Sequence, residues 1–120
     1  MGMGEIIVRV GLKEILAIPV TMNDVFSIVK KQFNIEAFVV GRRGRCKAAM
    51  VTAKFVFSYY CHTHLSVSYT QIGNFMGLHR TAINRHIAAA ENYLRVEDEE
   101  FCNALKTLEQ NIESFKLQNI

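Results

Sequence analysis

Between Tyr69 and Ile87 the chain reads YTQIGNFMGLHRTAINRHI, and its polar residues are of kinds that hydrogen-bond nucleobases and phosphates. His79, Arg80, Thr81, Asn84 and Arg85 fall within seven residues, with Thr70 a little upstream. Arg and Asn can grip guanine and adenine edges through two hydrogen bonds each, and Thr can reach a phosphate oxygen or a thymine methyl. A second cluster, Arg42, Arg43, Arg45 and Lys47, lies in GRRGRCK. There Gly41 and Gly44 give the backbone the freedom of a flexible, strongly positive loop. Both clusters are equipped to bind an anion.

Other chemistries find less support. Cys61, His62 and His64 lie within CHTH, but a structural zinc site needs four ligands, and neither a C-x-x-C nor a distant His pair completes this one. Cys61 falls on the apolar side of its segment with Phe57, so a buried thiol is expected and no metal is assigned. An enzyme needs a nucleophile with a base, or carboxylates paired in a cleft. Here the acids gather near the C-terminus and no Ser or Cys stands in a nucleophile motif, so no catalytic residue is assigned. No Gly-rich loop ends in Gly-Lys-Ser/Thr, so no nucleotide or other cofactor is expected. The four Tyr and eight Phe follow buried faces and do not mark an exposed stacking sheet of the kind that binds RNA.

Charge is unevenly distributed behind a net +3. From Val25 to Ala90 nine Lys and Arg face the single acid Glu36, a balance of +8. From Glu91 to Ile120 three basic residues face seven acids, a balance of −4. A basic middle with an acidic tail suits a protein that turns one face to a polyanion.

Length and composition bound the architecture. At 120 residues, 50% hydrophobic and 21% charged, the chain suits one globular domain with a core of its own. Three widely spaced cysteines (Cys46, Cys61 and Cys102) suit reduced thiols and a cytoplasmic setting. The N-terminus lacks the basic and apolar regions of a secretory signal. No apolar run approaches the ~20 residues of a membrane helix, so no membrane partner is expected.

The elements that must position the polar clusters read as helices. Residues 1–20 stay open: EIIVRVGLKEILAIPV alternates like a strand, or buries Val8, Leu12 and Ile15 as a helix, up to Pro19. The helical domain spans 21–120. Thr21 and Asp24 begin a helix over 22–33 with Val25, Val29 and Phe33 on one face. NIEAFVV forms a short turn or helix that caps the core, and the Arg-rich loop follows. From Cys46 to about His62 nearly every face is apolar, which predicts a central buried helix. HTHLSVS is a loop, and Ser68 or Thr70 caps the next helix. Phe101, Leu105, Leu108, Ile112 and Phe115 form one seam on a long last helix, which packs on the core or makes a homodimer contact. The fold class is all-α.

The segment from Tyr69 holds a corner. Ile72 and Phe75/Met76 make the inner face of a short helix, and Gly73 is small where two helices cross. Gly77, able to adopt a left-handed conformation, stands at the end of that helix, Leu78 plugs the angle, and Ile83, Ile87, Ala90 and Leu94 line the buried side of the second helix. These offsets are those of a helix-turn-helix. His79, Arg80, Thr81, Asn84 and Arg85 are left on the outside of the second helix, where a recognition helix meets the major groove. The rival class is a helical protein-interaction module that dimerises through the last seam; steep loss of duplex binding with salt distinguishes the two.

Over roughly 22–112, the GRRGR loop, the long apolar helix and YTQIGNFMGLHRTAINRHIAAAENYL together resemble the C-terminal DNA-binding domain of the bacterial replication initiator DnaA. The resemblance implies a Trp-repressor-like helix-turn-helix on double-stranded DNA and an arginine, here Arg43, entering the minor groove. It also implies a setting in replication initiation or its regulation, in a bacterium or a mobile element. The family signature G-R-D-H-[ST]-T-V is here Gly77, Leu78, His79, Arg80, Thr81, Ala82 and Ile83. Two positions that are often basic in the family correspond to Ala49 and Val51. Arg80 in place of the family's His favours a guanine-bearing site or a grip on phosphate. No ATPase module is seen, so a role in marking, regulating or blocking a site is expected.

Overall fold

The computed structural model describes residues 19–38 and 48–118. The N-terminal segment up to residue 18 and the GRRGR loop with Lys47 lie outside the described residues. Among the described residues five helices follow one another: α1 (Met22–Phe33), α2 (Ala48–His64), α3 (Tyr69–Met76), α4 (Arg80–Arg95) and α5 (Glu99–Gln118). No strand forms among the described residues, so the domain is all-α.

Helices α1, α3, α4 and α5 each start where a side chain accepts a free N–H of the first turn. Thr21 and Asp24 make a reciprocal pair at α1: the Asp24 N–H donates to Thr21 Oγ1 at 3.2 Å, and the Thr21 N–H donates to Asp24 Oδ2 at 3.0 Å. Ser68 and Gln71 repeat the arrangement at α3, so Ser68 is the cap and Thr70 lies within the helix. Asp98 begins α5 by accepting the Phe101 N–H at 2.9 Å. α1 ends at Asn34 in the left-handed region, beyond which the Ile35 N–H donates to the Lys30 carbonyl at 3.0 Å. Of the two forms open to NIEAFVV, residues 34–38 adopt a turn and bends, and no second helix forms there. Ile35 and Phe38 still pack on the core.

α2 is the central element and touches the other four described helices. Ala53, Val56, Phe57, Tyr60 and Cys61 are buried along it. It runs two residues beyond the expected end at His62, so His62, Thr63 and His64 are helical and the loop shortens to 65–68. The extension is held after the helix: the Val67 N–H donates to the Cys61 carbonyl at 3.1 Å, and His62 Nδ1 stands 3.0 Å from the Val67 carbonyl oxygen.

The seam of α5 belongs to the core of the same chain. Phe101, Leu105, Leu108 and Ile112 are buried and Phe115 is half-buried, with α5 against α1, α2 and α4. Gln32 binds α1 to this helix, donating from Nε2 to the Ala104 carbonyl at 2.9 Å and accepting from Asn111 Nδ2 at 3.2 Å.

One polar pair lies inside the α2–α4 contact. The fully buried Ser58 places Oγ 3.1 Å from His86 Nδ1 and 3.5 Å from Met76 Sδ. The Phe55 ring lies 5.4 Å from the imidazole. Burial, and secondarily the Lys54 charge, lower the His86 pKa to about 4. An unfolded histidine titrates near ~6.5, so the unfolded chain binds the extra proton first as pH falls. The stabilisation from neutral His86 is therefore complete above pH 6.5 and is lost progressively as pH drops towards 4. In urea unfolding, the stability difference between the wild type and His86→Gln should be constant above neutrality and shift against the wild type across that window. A difference independent of pH would show that the fold does not keep this imidazole neutral.

Candidate nucleic-acid interface

The corner between α3 and α4 is built on the backbone. The Leu78 N–H donates to the Gly73 carbonyl at 2.8 Å, folding the chain back over the end of α3. A Cβ at Gly73 would stand 2.5 Å from the Leu78 carbonyl oxygen, so any side chain there would force the backbone apart. Gly77 ends α3 with φ 72° and ψ 32°, the left-handed conformation that other residues adopt at a cost. Leu78 is half-buried against the core.

The corner is anchored from below. Ile72 and Met76 are buried on the inner side of α3, and Phe75 joins its outer edge to the core through rings at 5.5 Å from Phe57 and 5.7 Å from Phe26. α4 buries Ile83, Ile87 and Ala90, and Leu94 is half-buried further along. This is the expected stripe, and its phase decides what faces outwards.

His79, Arg80, Thr81, Asn84 and Arg85 are all exposed. Arg80 with Asn84, and Thr81 with Arg85, are four residues apart and so form two adjacent rows down the first turns of α4. Thr70 is exposed in the first turn of α3. Arg42, Arg43, Arg45 and Lys47 fall outside the described residues, so six of the expected binding residues have a described position. Asn74, one turn beyond Thr70, is exposed too and was not among the expected residues. A polar residue on the short helix carries no periodic signal to single it out.

His79 holds a role its residue type did not announce. It is the N-cap of α4, with φ −74° and ψ 150°. Its Nδ1 accepts the Thr81 N–H at 3.1 Å and lies 2.8 Å from Thr81 Oγ1. Histidine is not among the preferred capping residues, so the sequence pattern alone placed it simply among the outward-facing side chains.

Among the described residues the remaining reactive groups are sealed or dispersed. Cys61 is fully buried, and burial pushes its thiol up to about 12. The Ser58–His86 pair has the separation of a nucleophile and base, but Ser58 is sealed from solvent. His64 stacks on Tyr60 at 4.2 Å and stands 3.5 Å from Glu109 at the surface. Among the described residues no three His, Cys, Asp or Glu side chains gather closely enough to hold a metal. No described helix is long and apolar enough to cross a membrane.

No family model, curated protein or solved structure matches the chain.

The two corner glycines should respond differently to substitution. Gly77→Ala meets nothing within 4 Å and should cost about 1–2 kcal/mol for the left-handed backbone, with Gly77→Asn milder. Gly73→Ala meets backbone and should cost on the order of 1–3 kcal/mol, with Gly73→Asn worse still. Urea unfolding of the four variants checks both orders. Equal tolerance of Asn at the two positions would contradict the corner as described.

Proposed function

We propose that the chain binds double-stranded DNA sequence-specifically, with the first turns of α4 in the major groove and the GRRGR segment on the backbone and minor groove. This is the arrangement of the DnaA C-terminal domains the sequence resembles. One observation carries the reading: behind a glycine corner, α4 buries Ile83, Ile87 and Ala90 and exposes Arg80, Thr81, Asn84 and Arg85 on its first turns. A helix serving only as packing would more often carry Glu and Lys pairs on that face. No acid occurs between Ala37 and Ala90, so nothing in the corner repels phosphate, and the acids gather from Glu91 onwards. Binding of this kind requires no nucleotide, and it suits a protein that marks, regulates or blocks a site in replication initiation or its control.

Two measurements test the proposal. Replacing Arg42, Arg43 and Arg45 together by Ala should weaken binding to every duplex and flatten its salt dependence, each lost phosphate contact removing about 0.9 from the slope. An unchanged slope removes the loop from the interface. If the wild type shows no affinity for random duplex at low salt, the protein-interaction class is favoured instead.

Arg80→Ala separates base reading from electrostatics. With Arg80 gripping a guanine edge, the variant should lose about 1–3 kcal/mol on the site selected from a random duplex library and much less on random DNA. Equal losses on both would make Arg80 a phosphate ligand.

A further inference from the structure

Resting on the DNA-binding reading, we propose that His79 and Thr81 form a single base-reading unit, with His79 the positioning residue that sets the hydrogen-bonding polarity of both side chains. A backbone N–H can only donate, so the Thr81 N–H 3.1 Å from His79 Nδ1 requires that nitrogen to be the acceptor. In the neutral ring the proton is then on Nε2. The Thr81 hydroxyl, 2.8 Å from the same Nδ1, has only its own hydrogen to offer there and must donate it. Both partners are exposed at the start of α4.

Two freely rotating polar groups thereby acquire fixed roles. A solvent-exposed threonine hydroxyl ordinarily turns to donate or accept as its partner demands. Here its hydrogen is committed inwards, so the oxygen presents lone pairs only. The imidazole presents only a donor, Nε2–H. In a major groove the hydroxyl oxygen therefore selects an exocyclic amine, adenine N6 or cytosine N4. The imidazole selects an acceptor, purine N7, guanine O6 or thymine O4, on the same or the neighbouring base pair. Arg80 lies between the two in sequence and reads its own base independently, because its guanidinium can only donate.

The unit also joins reading to folding. The hydrogen bond that fixes the tautomer is the one that caps α4, so the ring cannot turn over without freeing an N–H of the first turn. Asn substitutes well as a cap but has no ring donor at that reach, which separates the two functions of His79.

The test uses the full chain. Ring nitrogen NMR at neutral to alkaline pH should show His79 protonated on Nε2; a proton on Nδ1 would overturn the unit. Selection from a random duplex library should then be run on the wild type, His79→Asn, Thr81→Val and the double variant, each shown by circular dichroism to retain its helices. The unit predicts that Thr81→Val, which keeps the N–H that fixes the tautomer, loosens only the base read by the hydroxyl, by roughly tenfold, whereas His79→Asn loosens both readings, so that the double variant is no worse than His79→Asn. Loosening by His79→Asn at the imidazole's base alone, or a further loss in the double variant beyond His79→Asn, would show two independent contacts and overturn the coupling. A wild type that selects no motif overturns the DNA reading itself, whereas a motif that survives His79→Asn overturns only the unit.

Discussion

Gly73 and Leu78 meet backbone to backbone, and the orientation of α4 depends on that contact. The N–H of Leu78 reaches the Gly73 carbonyl at 2.8 Å, while the space a Cβ would need at Gly73 is closed by the Leu78 carbonyl oxygen 2.5 Å away. The two helices can cross this closely only with a hydrogen atom at that position. The left-handed Gly77 between them then turns the chain within three residues, from the end of α3 at Met76 to the start of α4 at Arg80. Because the turn is so short, the phase of α4 is inherited from α3, and so is the set of side chains left facing outwards.

Packing makes that corner rigid enough to matter. Rings from four segments converge beneath it: Phe26 of α1, Phe38 of the following bend, Phe57 of α2 and Phe75 of α3, with centroids between 4.9 and 6.2 Å apart. Such spacings are those of favourable edge and offset contacts, each adding about 0.5–1.5 kcal/mol beyond burial. Polar groups do not weaken the core, since no buried side-chain nitrogen or oxygen among the described residues lacks a partner. On the far side, α5 closes the bundle with its own seam and with Gln32 and Asn111 at its edge.

The charge distribution follows the same division of labour. Basic residues precede and include the first turns of α4, whereas Glu97, Asp98, Glu99 and Glu100 lie at the turn into α5. There they favour the positive end of that helix, and Asp98 caps it directly. α4 has 16 residues, about 24 Å at 1.5 Å per residue, so its length separates these acids from Arg80 and Arg85 in its first turns. One helix thus keeps the proposed DNA-facing end free of negative charge.

Much of this was legible in the residues because it depends on local rules. The Thr21–Asp24 start of α1, the apolar α2, the Gly73 and Gly77 corner, and the stripe Ile83, Ile87 and Ala90 each follow from spacing, capping and the absence of a side chain on glycine. Other features were settled only by the assembled fold. The α5 seam could pack on the core or on a second copy, since an apolar face does not say what covers it; burial against α1, α2 and α4 places it in the core. The two extra residues of α2 depend on a hydrogen bond from Val67 back to Cys61, across a loop that local propensity cannot foresee. His86 showed nothing in its sequence position to distinguish it from a surface histidine, and only its burial between helices, beside Ser58 and Phe55, lowers its pKa. The cap at His79 is of the same kind: its residue type favours no cap, and the backbone conformation at the corner brought its ring nitrogen to the Thr81 N–H.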